Sequence, residues 1–526
     1  MMATKSRFPR TEIGANNPIF GQIRTTIETA FYGNNVTPVT SLKEAYKLAK
    51  NAPGTIVTDI PVYRPDLLGL DDDTKILLFN DGAVSGRAAA ARKIMGEPGV
   101  NQGEYALKIS EAIYKARTKK LYHAQAIVGL DKDFSVKAHL CIPETQENIM
   151  YSWLLNFQAI NEEVAKMSDP DWSHPDHPMG LTFFDPEHNC AAILGMRYFG
   201  EHKKGTLTLA WAMANRHGYA SCHGGQKRYN LGEGKSFVAG THARHGGKYD
   251  ITVLHDDAFV ISTENGSSVA LEPAYFDKTQ DYPLTCEDNK YLVTMQNCGA
   301  TVDEDGKIVP VTEDVRNGNG RAVKSILWSP NRVNKFEEPV NAIFWIMKDP
   351  TIPPIVKLSG AELASVMGAT LATKRSSAER LAPGVDPNAL VVEPYANPFR
   401  TYPLVNDYEK FKALVAERNV DCYIVNTGDF MGKKVTPKDT LGALEAVVEG
   451  RATFKPWGPF SDIEIMELEG FIPNLEDENY VEQLQKRMQD RVDFIKSRDT
   501  EKGGFDKLPA DALEALQKVV DEAHTI

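Results

Sequence analysis

Gly195-Met-Arg-Tyr-Phe-Gly-Glu-His-Lys-Lys-Gly205 opens the stretch on which the reading of this chain turns. Ala220-Ser-Cys-His-Gly-Gly225 follows, then the loop Gly240-Thr-His-Ala-Arg-His-Gly-Gly-Lys-Tyr249, then the apolar segment Ile251-Thr-Val-Leu-His-Asp-Asp257. Amides of a glycine-rich turn and a lysine cradle phosphates, and paired carboxylates at the end of a strand hold their metal, so this layout predicts phosphoryl transfer. The loop departs from the phosphate-loop pattern at both ends: His242 stands at the first glycine and Tyr249 at the hydroxyl residue after Lys248. Read alone it is equally a Gly/His-rich surface turn. Asp256 and Asp257 behind it, with Lys203, Lys204 and His223 ahead of it, give it chemical context.

Taken in order, Tyr198-Phe-Gly-Glu-His-Lys-Lys-Gly205, Ser221-Cys-His-Gly224, the worn loop and His255-Asp-Asp257 resemble the motifs of the ATP-dependent phosphoenolpyruvate carboxykinases. Outside this stretch, Ser85-Gly-Arg87 resembles that family's Thr-Gly-Arg. Val425-Asn-Thr-Gly428 with Gly432-Lys-Lys-Val-Thr-Pro-Lys-Asp-Thr440 resembles its adenine-side motif. The resemblance runs collinearly over roughly residues 75 to 450.

The resemblance implies a role for each matched residue. Lys204, His223 and Asp257 would bind manganese, the lysine only as the neutral amine. Arg87 would grip a substrate carboxylate with its two-pronged guanidinium, Tyr198 would place a hydroxyl beside that substrate, and Arg321 would bridge substrate and transferred phosphate. Lys248 and the amides of Gly246 and Gly247 would hold the phosphates, with Lys434 and Thr440 on the nucleotide side. The implied cofactors are Mn2+ and/or Mg2+ with ATP or another phosphoryl donor. The implied substrate is a small anion, a 2-oxo dicarboxylate or an enol phosphate.

Departures from the family pattern bear on substrate and donor. Ala88-Ala-Ala-Ala-Arg92 stands in place of Ser-Pro-Lys-Asp-Lys, Ala258-Phe-Val260 in place of Glu-His-Gly, Lys434 in place of an arginine, and Pro437 in place of an aliphatic residue. Three functions follow as expectations: carboxykinase conversion of oxaloacetate to phosphoenolpyruvate and CO2, a kinase of altered donor or acceptor specificity, or a non-catalytic ligand-binding relative.

Composition bounds these readings. The chain has 526 residues, 42% hydrophobic and 25% charged, which is the usage of a globular protein with ample length for a large core. A formal net charge of -12 argues against nucleic acid or an anionic membrane as partner, while an anionic small molecule stays possible if basic residues gather in one cleft. Six cysteines without short paired spacings suggest neither a zinc site nor a disulfide framework, and no apolar block resembles a signal or a membrane span. A cytoplasmic protein is expected.

Along the chain, Ile76-Leu-Leu-Phe79 predicts a buried strand with Ser85-Gly86-Arg87 on the loop leaving it, and Tyr105, Ile109 and Ile113 predict a helix. Asp305-Gly306 predicts a hairpin, Asn341 to Met347 a buried strand, and Ser359 to Glu362 a capping box opening a helix to about Arg375. Tyr480, Leu484, Met488, Val492 and Ile495 mark a long amphipathic helix, with another over residues 510 to 522. The predicted fold is α/β and carboxykinase-like, with two main domains of mixed sheets and flanking helices. The expected divisions are 1-218, a substrate domain; 219-470, a nucleotide-binding domain; and 471-526, a helical extension packed on the body.

Overall fold

The computed structural model describes residues 22–80, 82–157, 162–169, 172–232, 235–240, 249–313, 318–375, 380–381, 383–387 and 389–526, with 162–169, 235, 239–240 and 281 described by backbone alone. The architecture is mixed α/β, compatible with the carboxykinase-like expectation. A seven-stranded sheet takes all its strands from residues before 195 and is built around the long hairpin Leu121–Asp131 and Phe134–Pro143. An eight-stranded sheet centres on Ala342–Met347, which pairs in parallel with Asp421–Asn426; the strand Asp250–His255 lies at its edge. Apolar runs such as Ala342-Ile-Phe-Trp-Ile-Met347 become central strands because both faces are covered.

A five-stranded sheet joins distant parts of the chain. Lys75–Phe79 pairs in parallel with Leu292–Gln296, which pairs in turn with Arg321–Lys324. The loop carrying Arg87 and the strand carrying Arg321 thus leave one sheet.

The helix Phe199–Arg216 runs through the middle of the core. Of its 18 residues only Lys204 and Arg216 are not buried, so it has no solvated face. Its first turns carry Glu201, His202 and Lys203, all buried, and polar groups at that depth need partners. Those partners build the site described below.

The helix Gln102–Ala116 and the hairpin Gly299–Val302 with Ile308–Val311 form as expected, and a further helix, Pro437–Val448, is closed at its start by a Thr436–Asp439 capping box. The Ser359 capping box does not form. Gly360 is the N-cap at φ 85°, a left-handed value that suits glycine, and the helix stops at Ala369, because residues 372 to 374 turn into a strand paired with Leu390–Val392.

The C-terminal helices Glu478–Ser497 and Ala510–Ala523 pack on the body. Tyr480, Leu484, Met488, Val492 and Ile495, with Leu516 and Val520, join the core cluster around Trp345. Arg491, 2% exposed, reaches through this contact to Asp349 at 2.9 Å. No described helix is long and apolar enough to cross a membrane, and all six cysteines are free.

Candidate active site

The site begins at the start of the Phe199–Arg216 helix. Glu201 turns back toward the loop after Lys75–Phe79 and accepts hydrogen bonds from the amides of Ser85 (2.7 Å) and Gly86 (2.8 Å). Burial raises its pKa, and those two donors act against the shift. A β-carbon on Gly86 would lie 2.2 Å from Glu201 Oε2 and 3.0 Å from Thr182 Oγ1, so only glycine lets this turn close. Arg87 is thereby fixed on a rigid turn, its guanidinium 5.1 Å from the Phe399 ring centre.

Phe399 is a hub. Lys204 Nζ lies 4.9 Å from its ring centre, and the His223 ring meets it edge-on at 5.4 Å. Trp211 stacks against it at 6.2 Å. Asn397 Oδ1 accepts from the Phe399 amide at 3.1 Å, which holds the loop in place.

Lys204, His223 and Asp257 converge on one oxygen. Lys204 Nζ is 2.5 Å and His223 Nε2 3.2 Å from Asp257 Oδ1. Pairing of Tyr219–His223 with Ala258–Ser262 sets His223 opposite Ala258, and the Gly224 amide donates to the Asp257 carbonyl, which fixes the approach. His223 Nδ1 faces the Ala396 carbonyl, an acceptor only, so Nδ1 carries the proton and Nε2 presents its lone pair toward Asp257. A lone pair and a carboxylate facing one another at this distance call for a cation or a proton between them. The donor set of amine, imidazole and carboxylate therefore fits a divalent transition metal.

Charge is distributed unevenly between the two lysines. Burial lowers Lys204 to about 8, against the opposing pull of Asp257. Burial also works against a charge on Lys203, but Asp257 and then Glu272 outweigh it and raise its pKa. Lys203 donates to both, at 2.6 Å to Glu272 Oε1, and Asn156 Nδ2 donates to the second Glu272 oxygen at 2.5 Å. Burial raises the Glu272 pKa. Asp257 is held well below the carboxylate range by Lys203 and Lys204 despite its burial.

His255 completes the turn. Its Nε2 donates to the Ala274 carbonyl at 3.1 Å, while Nδ1 accepts from the amides of Asp257 (3.0 Å) and Ala258 (3.2 Å). Its ring stacks on Tyr275 at 5.0 Å, and burial lowers its pKa to about 4, which keeps it neutral. The imidazole thereby aims Asp257.

The remaining candidates divide. Tyr198 is buried with its hydroxyl pKa raised by burial, lowered in part by Arg321 and Arg87, so the neutral hydroxyl and the two guanidinium groups share one neighbourhood. Arg321 is 8% exposed and donates to the Gly320 carbonyl at 2.9 Å, which removes it from the protein surface. Thr440 is buried and its hydroxyl donates to the Pro437 carbonyl within its own helix, whereas Lys434 is exposed on a short hairpin. Gly246, Gly247 and Lys248, with His242 and Arg244, lie outside the described residues. Tyr249, just past them, packs against the apolar cluster that includes Leu444 and Val447 and pairs its hydroxyl with Glu449, the residue after the Pro437–Val448 helix.

Sequence reasoning missed Phe399, Glu272, Asn156 and the role of His255. Phe399, Glu272 and Asn156 lie in no motif, and of these only Glu272, a carboxylate in the apolar run Val269-Ala-Leu-Glu-Pro-Ala274, carried a signal; His255 lies in the His255-Asp-Asp257 motif, where its role was not legible.

Arg87 and His223 open onto a cleft of about 1170 Å³. Ten Lys and Arg line it against three Asp and Glu, in a chain that is acidic overall. That is the local concentration of positive charge an anionic substrate needs.

No protein-family model matches the chain. It is 26% identical over 170 residues to a phosphoenolpyruvate carboxykinase (ATP) of Bradyrhizobium diazoefficiens, the match covering 31% of each chain. Proteins of that name from two other Bradyrhizobium strains are 26% identical over 171 residues with the same coverage. The matched part spans less than a third of these relatives. Over that part, the chain is a distant relative of the ATP-dependent phosphoenolpyruvate carboxykinases.

Proposed function

We propose that the protein is a metal- and nucleotide-dependent phosphotransferase of the carboxykinase type, converting a 2-oxo dicarboxylate such as oxaloacetate to an enol phosphate and CO2. The observation that carries the reading is the gathering of Arg87, Lys204 and His223 around Phe399, with Asp257 behind them. Arg87 orients the substrate carboxylate, since a guanidinium on a rigid turn matches a carboxylate with two parallel donors. The C–C bond to the departing carboxylate breaks, its electron pair forms the enolate, and the enolate oxygen takes the terminal phosphoryl group as the bond to the donor's bridging oxygen breaks. Lys204, His223 and Asp257 would hold a divalent metal, which when bound supplies Lewis-acid stabilisation of negative charge on oxygen. Lys203 stays protonated and adds a fixed positive charge, and Tyr198 and Arg321 supply donors on the substrate side.

Residues 1-218 would serve the substrate and 219-470 the nucleotide, with the donor's phosphates at Gly246, Gly247 and Lys248 and its base near Lys434 and Thr440. The test is oxalate, a compact dicarboxylate, titrated calorimetrically with Mn2+. Wild type should bind it and Arg87→Lys should bind it at least tenfold more weakly, because a point ammonium cannot replace a two-pronged contact. Equal affinity would remove Arg87 from the site and the carboxykinase reading with it.

One observation favours altered specificity as a second reading. Arg92, the last residue of the substituted Ala88-Ala-Ala-Ala-Arg92 segment, donates to the carbonyls of Pro398 and Arg400 instead of standing free in the cleft. The acceptor therefore meets a different wall.

A further inference from the structure

The cleft is larger than a four-carbon dicarboxylate requires; ligand sites of about 300 to 1,000 Å³ enclose drug-sized molecules, and this one reaches about 1170 Å³. Besides Arg87 it is lined by Lys93 and Lys374 and, from the C-terminal extension, by Phe494, Arg498 and Phe505. That C-terminal wall is fixed. Lys502 pairs with Glu97 at 2.5 Å, and Asp506 accepts from Arg400 at 2.6 Å and from the Leu404 amide at 3.1 Å.

Two of the basic groups here are not consumed by the fold. Among the described residues Lys374 makes no ion pair, and Lys93 has only the Ala89 carbonyl, at 3.2 Å. Asn397, 2% exposed on the same cleft, has an amide nitrogen with no acceptor among the described residues. A buried donor left unmet costs free energy, and a cleft that gathers such donors with open ammonium groups is suited to an anionic group.

We propose that the acceptor substrate carries, besides the carboxylate that departs, a second anionic group, a phosphate or a carboxylate, several bonds from the carboxylate held by Arg87, and that Lys93 and Lys374 bind that group beside the C-terminal wall. This rests on the proposed function, which places the reacting carboxylate at Arg87. It gives residues 494–506 a part in substrate choice and accounts for a cleft too long for oxaloacetate alone.

Three six-carbon probes of graded charge test it by calorimetric titration with Mn2+: gluconate with one anionic end, glucarate with a carboxylate at each end, and 6-phosphogluconate with a carboxylate and a phosphate. Wild type should bind glucarate or 6-phosphogluconate at least tenfold tighter than gluconate, and the tighter of the two identifies the second group. Lys93→Ala with Lys374→Ala should erase that difference while leaving oxalate affinity unchanged, which separates this subsite from Arg87. Equal binding of all three probes by the wild type, or a preference that survives in the double variant, would overturn the inference. Loss of oxalate binding in the double variant would do so too. Oxalate binding indifferent to Arg87→Lys overturns the proposed function instead, and is read on a different variant.

Discussion

Glu201 and Gly86, 115 residues apart, are in contact: the Gly86 amide donates to the Glu201 carboxylate at 2.8 Å, and a β-carbon on Gly86 would lie 2.2 Å from its other oxygen. The Ser85-Gly-Arg87 motif and the motif that starts at Tyr198 are therefore one structural unit. The carboxylate at the start of the central helix sets the turn that presents Arg87.

Gly86→Ala should accordingly disable the site more than the fold. The added methyl must displace a buried carboxylate held by two amides, at a cost of about 1 to 3 kcal/mol. Thermal unfolding should show that modest loss, and calorimetry should show oxalate affinity falling as far as in Arg87→Lys. Unchanged oxalate binding would show that the turn does not position Arg87.

His223→Ala should abolish stabilisation by Mn2+ in thermal unfolding while costing little in its absence. Asp257→Ala differs, because it strips the fully buried Lys203 of one of its two carboxylates. Breaking such a pair costs about 3 to 5 kcal/mol, so this variant should be markedly less stable even without metal. Equal Mn2+ responses in wild type and His223→Ala would remove the metal site.

Metal binding should depend on pH through Lys204. Its pKa is lowered to about 8 from 10.5, so below 8 a bound metal must displace a proton and affinity should rise with pH, levelling off above 8. Stability follows the same shift. Between 8 and 10.5 the unfolded chain binds this proton more strongly than the folded one, so this group's contribution to stability rises with pH there. Lys203, whose pKa is raised, contributes the opposite slope above 10.5. Titrations of Mn2+ in buffers of different ionisation enthalpy should show proton release at pH 7 in wild type, and less in Lys204→Gln.

ATP should bind weakly. With His242 and Tyr249 in place of glycine and a hydroxyl residue, about two charge-assisted contacts are lost, each worth about 1.5 to 3 kcal/mol, or roughly two to four orders of magnitude in all. Calorimetric titration of ATP with Mg2+ into wild type and Lys248→Ala checks this. Micromolar binding that depends on Lys248 would show an ordinary nucleotide loop.

Arg491→Ala should destabilise the protein by about 3 to 5 kcal/mol, since it removes a buried partner of Asp349, itself fully buried at the end of the central strand. Denaturant unfolding should show the loss. A variant within 1 kcal/mol of wild type would mean that Arg487, 3.3 Å from the same carboxylate, suffices.

Much of the architecture was legible before any coordinates. Apolar runs marked the central strands at Lys75–Phe79 and Ala342–Met347, and the four-residue step marked the helices at Gln102–Ala116 and Glu478–Ser497. These signals are local, set by which face of an element is apolar. The Ser359 capping box failed because a short-range pattern gave way to the strand pairing of residues 372 to 374.

The sequence by itself also determined the order of the motifs and the kinds of chemistry their side chains permit. Tertiary structure alone decided that Arg87, Lys204 and His223 meet at Phe399, that Lys203 is buried between Asp257 and Glu272, and that His255 aims Asp257. The same holds for the C-terminal extension, whose pattern predicts an amphipathic helix but not that its end walls a basic cleft. Periodicity records the burial of one element at a time. Which remote carboxylate a buried lysine finds is settled when sheets and helices from distant parts of the chain pack together, where an unpaired charge would be too costly to leave.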